Sequence, residues 1–339
     1  MPPLAQPAQT ALRARFYPAR LSAALLALFS GSVAADMPTL AQRRYAAESV
    51  AANHSACSQI SPFYWEIGNA EGRQAGASIG NRAPQADTEM NIASASKWIF
   101  GAYLLQLRGG KPTPQDIQAL TMQTGYTHFR YGSCVKWLPG RKANETVASC
   151  LAHGDNHQFD PGEVGRFHYG GGHYQHYASE VLQLGALNSA GLQQEIGKQL
   201  GPELHLRYDS PQLAAGMASS AEDYARFLQK LLKGQLALGA HLGSHAVCTN
   251  PASCSQASST PIPAHEHWHY SLGHWVEDDP NSGDGAFSSP GAFGFYPWID
   301  AQKQYYGILA RHELSQQAAY RSVLCGRAIR RAWLSGKLD

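Results

Sequence analysis

The sequence predicts an α+β fold: an antiparallel sheet built from both chain ends, flanked by helices, with an inserted mostly helical region. Three observations carry this. Strand-like segments rich in aromatic and β-branched residues lie near residues 62–80 and again from Tyr270 onward, while helical periodicity and loops fill the stretch between them. The 339 residues, 44% hydrophobic and 15% charged, suffice to remove about 75% of the unfolded surface from water. No Pro/Ser linker or internal repeat divides the chain. A single domain over 36–339 is therefore expected, its sheet region about 36–95 and 240–339 and its helical region about 96–239.

Residues 1–35 stand apart. Arg13, Arg15 and Arg20 precede the apolar run LSAALLALFSGSV, and Val33-Ala34-Ala35 offers small residues for cleavage, so this segment reads as a secretory signal peptide cut near Ala35. The run is too short to span a bilayer, no Cys stands at the cut for a lipid, and no stable membrane anchor is expected. A periplasmic or secreted location follows. LAQRRYAAESVAA then reads as an amphipathic helix with Leu40, Ala46 and Val50 inward. PFYWEIGN and GRQAGASIGN form two strands turned at NAEG. ASASKWIFGAYLLQLRGG is apolar on nearly every face from Trp98 to Leu107, the mark of a buried helix.

Farther on, Thr113 and Pro114 form a helix start. SSAEDYARFLQKLLKG is a stronger helix: Ser219 and Glu222 are placed as a capping box, Tyr224, Phe227, Leu228 and Leu231 make the stripe, and Gly234 stops it. YSLGHWVED, GAFGFYPWID and QYYGILARHE read as three late strands, and a helix from about Ser315 to Leu334 closes the chain.

Without the leader, Lys+Arg falls from 27 to 24 against 25 Asp+Glu, and the formal charge moves from +2 to −1. The remaining basic cluster, Arg327, Arg330 and Arg331, reads as a solvated helix face, so no nucleic-acid partner is expected. Six cysteines in an exported chain favour disulfides over metal ligands. Of fifteen connectivities, sequence proximity favours Cys134 with Cys150 and Cys248 with Cys254, leaving Cys57 with Cys325; the alternative is one or more free buried thiols.

Ser94-Ala95-Ser96-Lys97 is an S-x-x-K at the head of the buried helix. Residues three apart share a helix face, so the Lys amine can reach the Ser hydroxyl. A Ser there also presents its own amide where the helix dipole favours developing negative charge. Lys97 must be neutral to act as a base, which requires burial or a neighbouring charge.

In order along the chain, SASKWIFGAYLLQL, LTMQTGYTHF, PGEVGRFHYGGGHYQHYASEVLQ, GMASSAEDYARFLQKLL, YSLGHWV and SSPGAFGFYPWID resemble segments of the serine β-lactamase-related hydrolases, the class C β-lactamase, penicillin-binding and esterase group. The resemblance spans most of the chain beyond the leader. It implies Ser94 as nucleophile, Lys97 as its base and Tyr169 as the Y-x-N tyrosine that protonates the leaving group. It places Ser289-Pro290-Gly291 where the family has K-T-G or H-x-G on the cleft-facing strand, with the amides of Ser94 and Ala292 as oxyanion hole. Gly171 replaces the Asn, and Ser289-Pro290 replaces the residues that grip a carboxylate. The implied activity is hydrolysis of a small-molecule or peptide-like ester or amide, esterase-like more than β-lactamase, without cofactor. The proline further implies an edge strand. Tyr126, Phe129, Tyr131, Phe293, Phe295 and Trp298 are expected near the cleft, suiting an apolar or aryl acyl group.

Three rivals remain: a D-Ala-D-Ala carboxypeptidase or β-lactamase, disfavoured by Ser289-Pro290; a non-catalytic binding member of the fold; and a zinc hydrolase. The last rests on His265-Glu266-His267-Trp268-His269, a literal H-E-x-x-H, which needs both outer histidines on one helix face. Pro261 and Pro263 precede it and YSLGHW alternates like a strand, so a loop entering a strand is expected and no metal.

Overall fold

In the computed structural model the N-terminal hairpin closes on the last strand of the chain. Residues 37–134 and 144–338 are described; the expected leader, 1–35, lies outside them. Strands Phe63–Asn69 and Gly72–Ile79 form the hairpin. Its turn is held by the Asn69 side chain, which accepts from the amides of Glu71 and Gly72. Phe63–Asn69 pairs antiparallel with Tyr306–Ala310, Trp65 opposite Leu309. From there the sheet continues through Tyr296–Ile299, Ala286–Ser288, Trp275–Glu277, His269–Tyr270 and Val247–Cys248. The result is an eight-stranded antiparallel sheet joining both chain ends, with helices packed on it.

Helices Leu40–Asn53 and Ala318–Ser335 pack on each other, and Cys57–Cys325 links the segment after the first to the second. Cys134–Cys150 and Cys248–Cys254 are the other two disulfides. Helix Ala221–Leu232 packs against Phe63–Asn69 and Tyr306–Ala310. Helix Ser96–Leu107, buried from Ser96 to Leu105, runs through the interior. Among the described residues no helix is long and apolar enough to cross a membrane.

Several elements depart from the sequence reading. Leu40 is exposed, because Arg43 takes the inward position and donates to the carbonyls of Trp333 and Leu334. Ser220, not Ser219, caps helix Ala221–Leu232, accepting from the Asp223 amide; Ser219 ends a strand and pairs with Met90. YSLGHWVED is not one strand. Gly273, at φ +86, turns the chain between Tyr270 and Trp275, and a Cβ there would sit 2.6 Å from the Lys97 carbonyl. This close approach lets the turn seat directly on helix Ser96–Leu107.

Ala286–Ser288 is a strand missed in the sequence, and it lies inside the sheet. Pro290 therefore belongs to the loop after an interior strand, not to an edge strand. Arg327 and Arg330 are buried rather than solvated: Arg327 pairs with Glu266 at 2.9 Å, and Arg330 with Glu277 and Asp284, each at 2.8 Å. Helical periodicity could not show this, since the arginines face acids that arrive from strands and loops.

Candidate active site

Ser94 lies in a short turn, Ala93–Ala95, that feeds helix Ser96–Leu107. Ala93 has φ +43, a conformation that L-residues adopt only when held. Here the Asn91 side chain accepts from the Ala93 amide at 2.9 Å, and the Ser96 hydroxyl donates to the Ala93 carbonyl at 2.6 Å. Ser96 also accepts from the Met217 amide, and the Tyr224 hydroxyl donates to the Ala95 carbonyl. Four bonds thus fix the turn that carries Ser94, and none of Asn91, Ser96 or Tyr224 was singled out in the sequence for this role.

The Lys97 amine donates to Ser94 Oγ at 2.9 Å and to the Ala214 carbonyl at 3.0 Å. Among the described residues its side chain has no carboxylate partner, and burial alone lowers its pKa from 10.5 to about 7. Tyr169 follows the strand Phe167–His168, its amide donating to the Ser259 carbonyl. Its ring stacks on Trp275 and lies 4.7 Å from the Lys97 amine. Burial pushes the phenol up to about 12, against the lowering effect of its hydrogen bonds with Ser94 and Trp275.

On the far side of Ser94, the Ser289 hydroxyl donates to the Ser94 carbonyl at 3.0 Å. Gly291 donates to the Phe295 carbonyl, and a Cβ at Gly291 would stand 2.2 Å from the Ile92 carbonyl, so only glycine lets this loop lie against the Ser94 turn. Ala292 follows and borders the same two cavities as Ser94.

No family model and no curated protein matches the chain. Solved structures do. They include the octameric penicillin-binding protein homologue from Pyrococcus abyssi, with 14% identity over 84% of this chain and 76% of that one and a TM-score of 0.60. A D-stereospecific amidohydrolase from Streptomyces sp. matches with 15% identity over 85% and 99% of the two chains, TM-score 0.57. EstCE1, a hydrolase with promiscuous acyltransferase activity, matches with 15% identity over 86% and 98%, TM-score 0.56. The fold is that of the serine β-lactamase-related proteins.

Within this fold the chain has two local departures with structural causes. At Gly171, where the resemblance would place Asn, a Cβ would come 3.0 Å from Phe129, so the Phe129 ring occupies the space an Asn side chain would need. At Ser289-Pro290 the hydroxyl is spent on the Ser94 carbonyl, and among the described residues no cationic side chain lines the larger cavity that Pro290 borders. Of the aromatics expected near the cleft, Phe129, Tyr131 and Phe293 line a cavity of about 170 Å³ that also contains Ser94 and Lys97. Phe295 and Trp298 belong to the core, and Tyr126 stacks on His176 away from both cavities. Trp268, Trp275 and Tyr320, absent from that expectation, line a second cavity of about 480 Å³.

The H-E-x-x-H stretch is not helical: 265–268 is loop, and His269 opens a strand. Its glutamate is 2% exposed, and although burial works to raise its pKa, bonds from Arg327, Tyr320 and Ser282 hold it below the usual carboxylate range. A carboxylate pinned in this way is not placed as a general base for a metal-bound water.

Proposed function

We propose that the protein is an exported serine hydrolase that cleaves a carboxylic ester, and less readily an amide, through an acyl-enzyme on Ser94. The observation that carries this is the contact between a buried Lys97 amine, neutral in part at pH 7, and Ser94 Oγ. Lys97 takes the Ser94 proton as Oγ attacks the carbonyl carbon. The amides of Ser94 and Ala292 receive the developing oxyanion, each donor worth on the order of 10²–10³ in rate. As the bond to the leaving group breaks, Tyr169 and Lys97 return the proton to the departing oxygen or nitrogen. Water then repeats the attack on the acyl-enzyme with Lys97 again as base, releasing the acid and restoring Ser94.

Esterase chemistry is favoured over that of a β-lactamase or D-Ala-D-Ala carboxypeptidase because Gly171 and Ser289-Pro290 supply neither the amide contact nor the charge those substrates use. A non-catalytic binding role is disfavoured by the held Ser94 turn and the Lys97 contact. Three disulfides and the leader over 1–35 support export.

The test is fluorophosphonate labelling of the purified protein, with hydrolysis of p-nitrophenyl esters, nitrocefin and a D-Ala-D-Ala peptide measured in parallel. Wild type should label and hydrolyse the esters, and Ser94→Ala should do neither. Labelling that survives in Ser94→Ala would refute the mechanism, as would activity that a chelator abolishes and Zn²⁺ restores.

A further inference from the structure

The two cavities meeting at Ser94 are unequal. The larger, about 480 Å³, falls in the range that holds a small organic ligand, while the other is about 170 Å³. Ile262, Trp268, Trp275, Phe293 and Val323 give the larger one apolar walls, and Leu314, 82% exposed, extends them to the mouth. Among the described residues no Lys, Arg, His, Asp or Glu lines it. A carboxylate entering this space would lose hydration and meet no opposite charge, only neutral groups such as Ser315 and Gln316, whereas an alkyl or aryl group would gain from burial.

Two wall residues from different elements share one support. Trp268 comes from the loop before strand His269–Tyr270, and Tyr320 from helix Ala318–Ser335. Trp268 Nε1 donates to Glu266 Oε2 at 2.6 Å, and the Tyr320 hydroxyl donates to Glu266 Oε1 at 2.8 Å. Arg327 and Ser282 hold the same carboxylate at 2.9 and 3.0 Å. Glu266 does not itself line the cavity.

We propose that the larger cavity binds the uncharged apolar group on one side of the scissile bond, and that Glu266 is a positioning residue that sets its width by tying Trp268 to Tyr320. The inference rests on the acyl-enzyme reading of Ser94 for the orientation of substrate, and the glutamate of the H-E-x-x-H stretch thereby serves selectivity.

The experiment compares kcat and KM for methyl acetate, methyl hexanoate, hexyl acetate and monomethyl adipate, with acid release followed by pH-stat. Each buried methylene is worth about a factor of four, so methyl hexanoate or hexyl acetate should exceed methyl acetate in kcat/KM by at least about 30-fold, mainly through KM. If methyl hexanoate is the better of the two long esters, monomethyl adipate, with a carboxylate at the same chain end, should fall at least tenfold below it. Ala319→Trp, which adds bulk to the cavity wall, should lower kcat/KM for the better long-chain ester at least tenfold more than for methyl acetate. Glu266→Gln should raise KM for that ester several-fold relative to methyl acetate with little change in the ratio of kcat values. Tyr320→Phe, which keeps the Glu266–Arg327 pair, should do the same to a smaller degree.

Equal effects on long and short esters in these variants would overturn the proposal, as would adipate turned over as well as hexanoate where hexanoate is the preferred long ester. Calorimetric titration of Ser94→Ala with both long esters separates the two readings. Binding to that variant without fluorophosphonate labelling of wild type would sink the acyl-enzyme while sparing the pocket; labelling without preferential binding of long esters would sink the pocket alone.

Discussion

Replacing Lys97 by Met removes a charge from the interior and keeps the length of the side chain. The lysine's pKa is 10.5 ordinarily and about 7 in the fold. At 1.36 kcal/mol per pH unit, burying its ammonium form costs on the order of 5 kcal/mol. Below pH 7 both the folded and unfolded lysine carry the proton, and the whole cost is present. Between pH 7 and 10.5 the unfolded chain holds a proton that the folded lysine has shed, so stability rises with pH. From pH 7 to 9 this contribution amounts to about 2 kcal/mol, or about 4 °C in Tm for a chain of this size. Thermal unfolding of wild type and Lys97→Met, followed by circular dichroism at pH 7 and 9, isolates the term, since every other titrating group is common to both. Lys97→Met should gain on wild type most at pH 7, and its advantage should shrink by about 4 °C at pH 9. A difference in Tm that is the same at both pH values would show that Lys97 is not buried as the structure has it.

The same titration should govern catalysis: kcat/KM for a p-nitrophenyl ester should rise to a plateau through a pKa near 7 as Lys97 loses its proton, while Tyr169, at about 12, stays protonated. Absence of a limb between pH 6 and 8 would exclude Lys97 as the base. Gly171→Asn should cost about 1–3 kcal/mol through overlap with Phe129 and should confer no nitrocefin hydrolysis, as Tm and a chromogenic assay would register. Breaking Cys57–Cys325 by double substitution to Ala should lower unfolding stability by about 2–5 kcal/mol in denaturant titration, because it ties positions 268 residues apart.

What could be read from the sequence followed the range of the interactions involved. The hairpin at Asn69 to Gly72, the all-round apolar helix after Ser94 and the stop at Gly234 are local signals, and each element stands within a residue or two of its expected place. Late strands of two to four residues carry too little alternation to be counted, so neither Ala286–Ser288 nor the turn at Gly273 has a signature of its own in the sequence. The S-x-x-K spacing marked Ser94 and Lys97, but the lowered pKa of the lysine depends on the surrounding fold. Trp268 and Tyr320 face one cavity only because a carboxylate from a loop meets a helix fifty residues later, a coincidence with no signature in one dimension.

The pairing of Phe63–Asn69 with Tyr306–Ala310 also has a temporal consequence. The Ser94 turn comes after the hairpin in the chain, and the loop that braces it, through Ser289 and Gly291, leads into Tyr296–Ile299, which pairs with Tyr306–Ala310. Until the ribosome has delivered the final strand, the hairpin has no further strand to pair with and is not joined to the sheet that carries the bracing loop. Such long-range closure is slow compared with helix formation. Any activity that depends on the braced Ser94 turn would therefore be among the last properties a refolding chain acquires, and its recovery after denaturation should lag behind the return of helical dichroism.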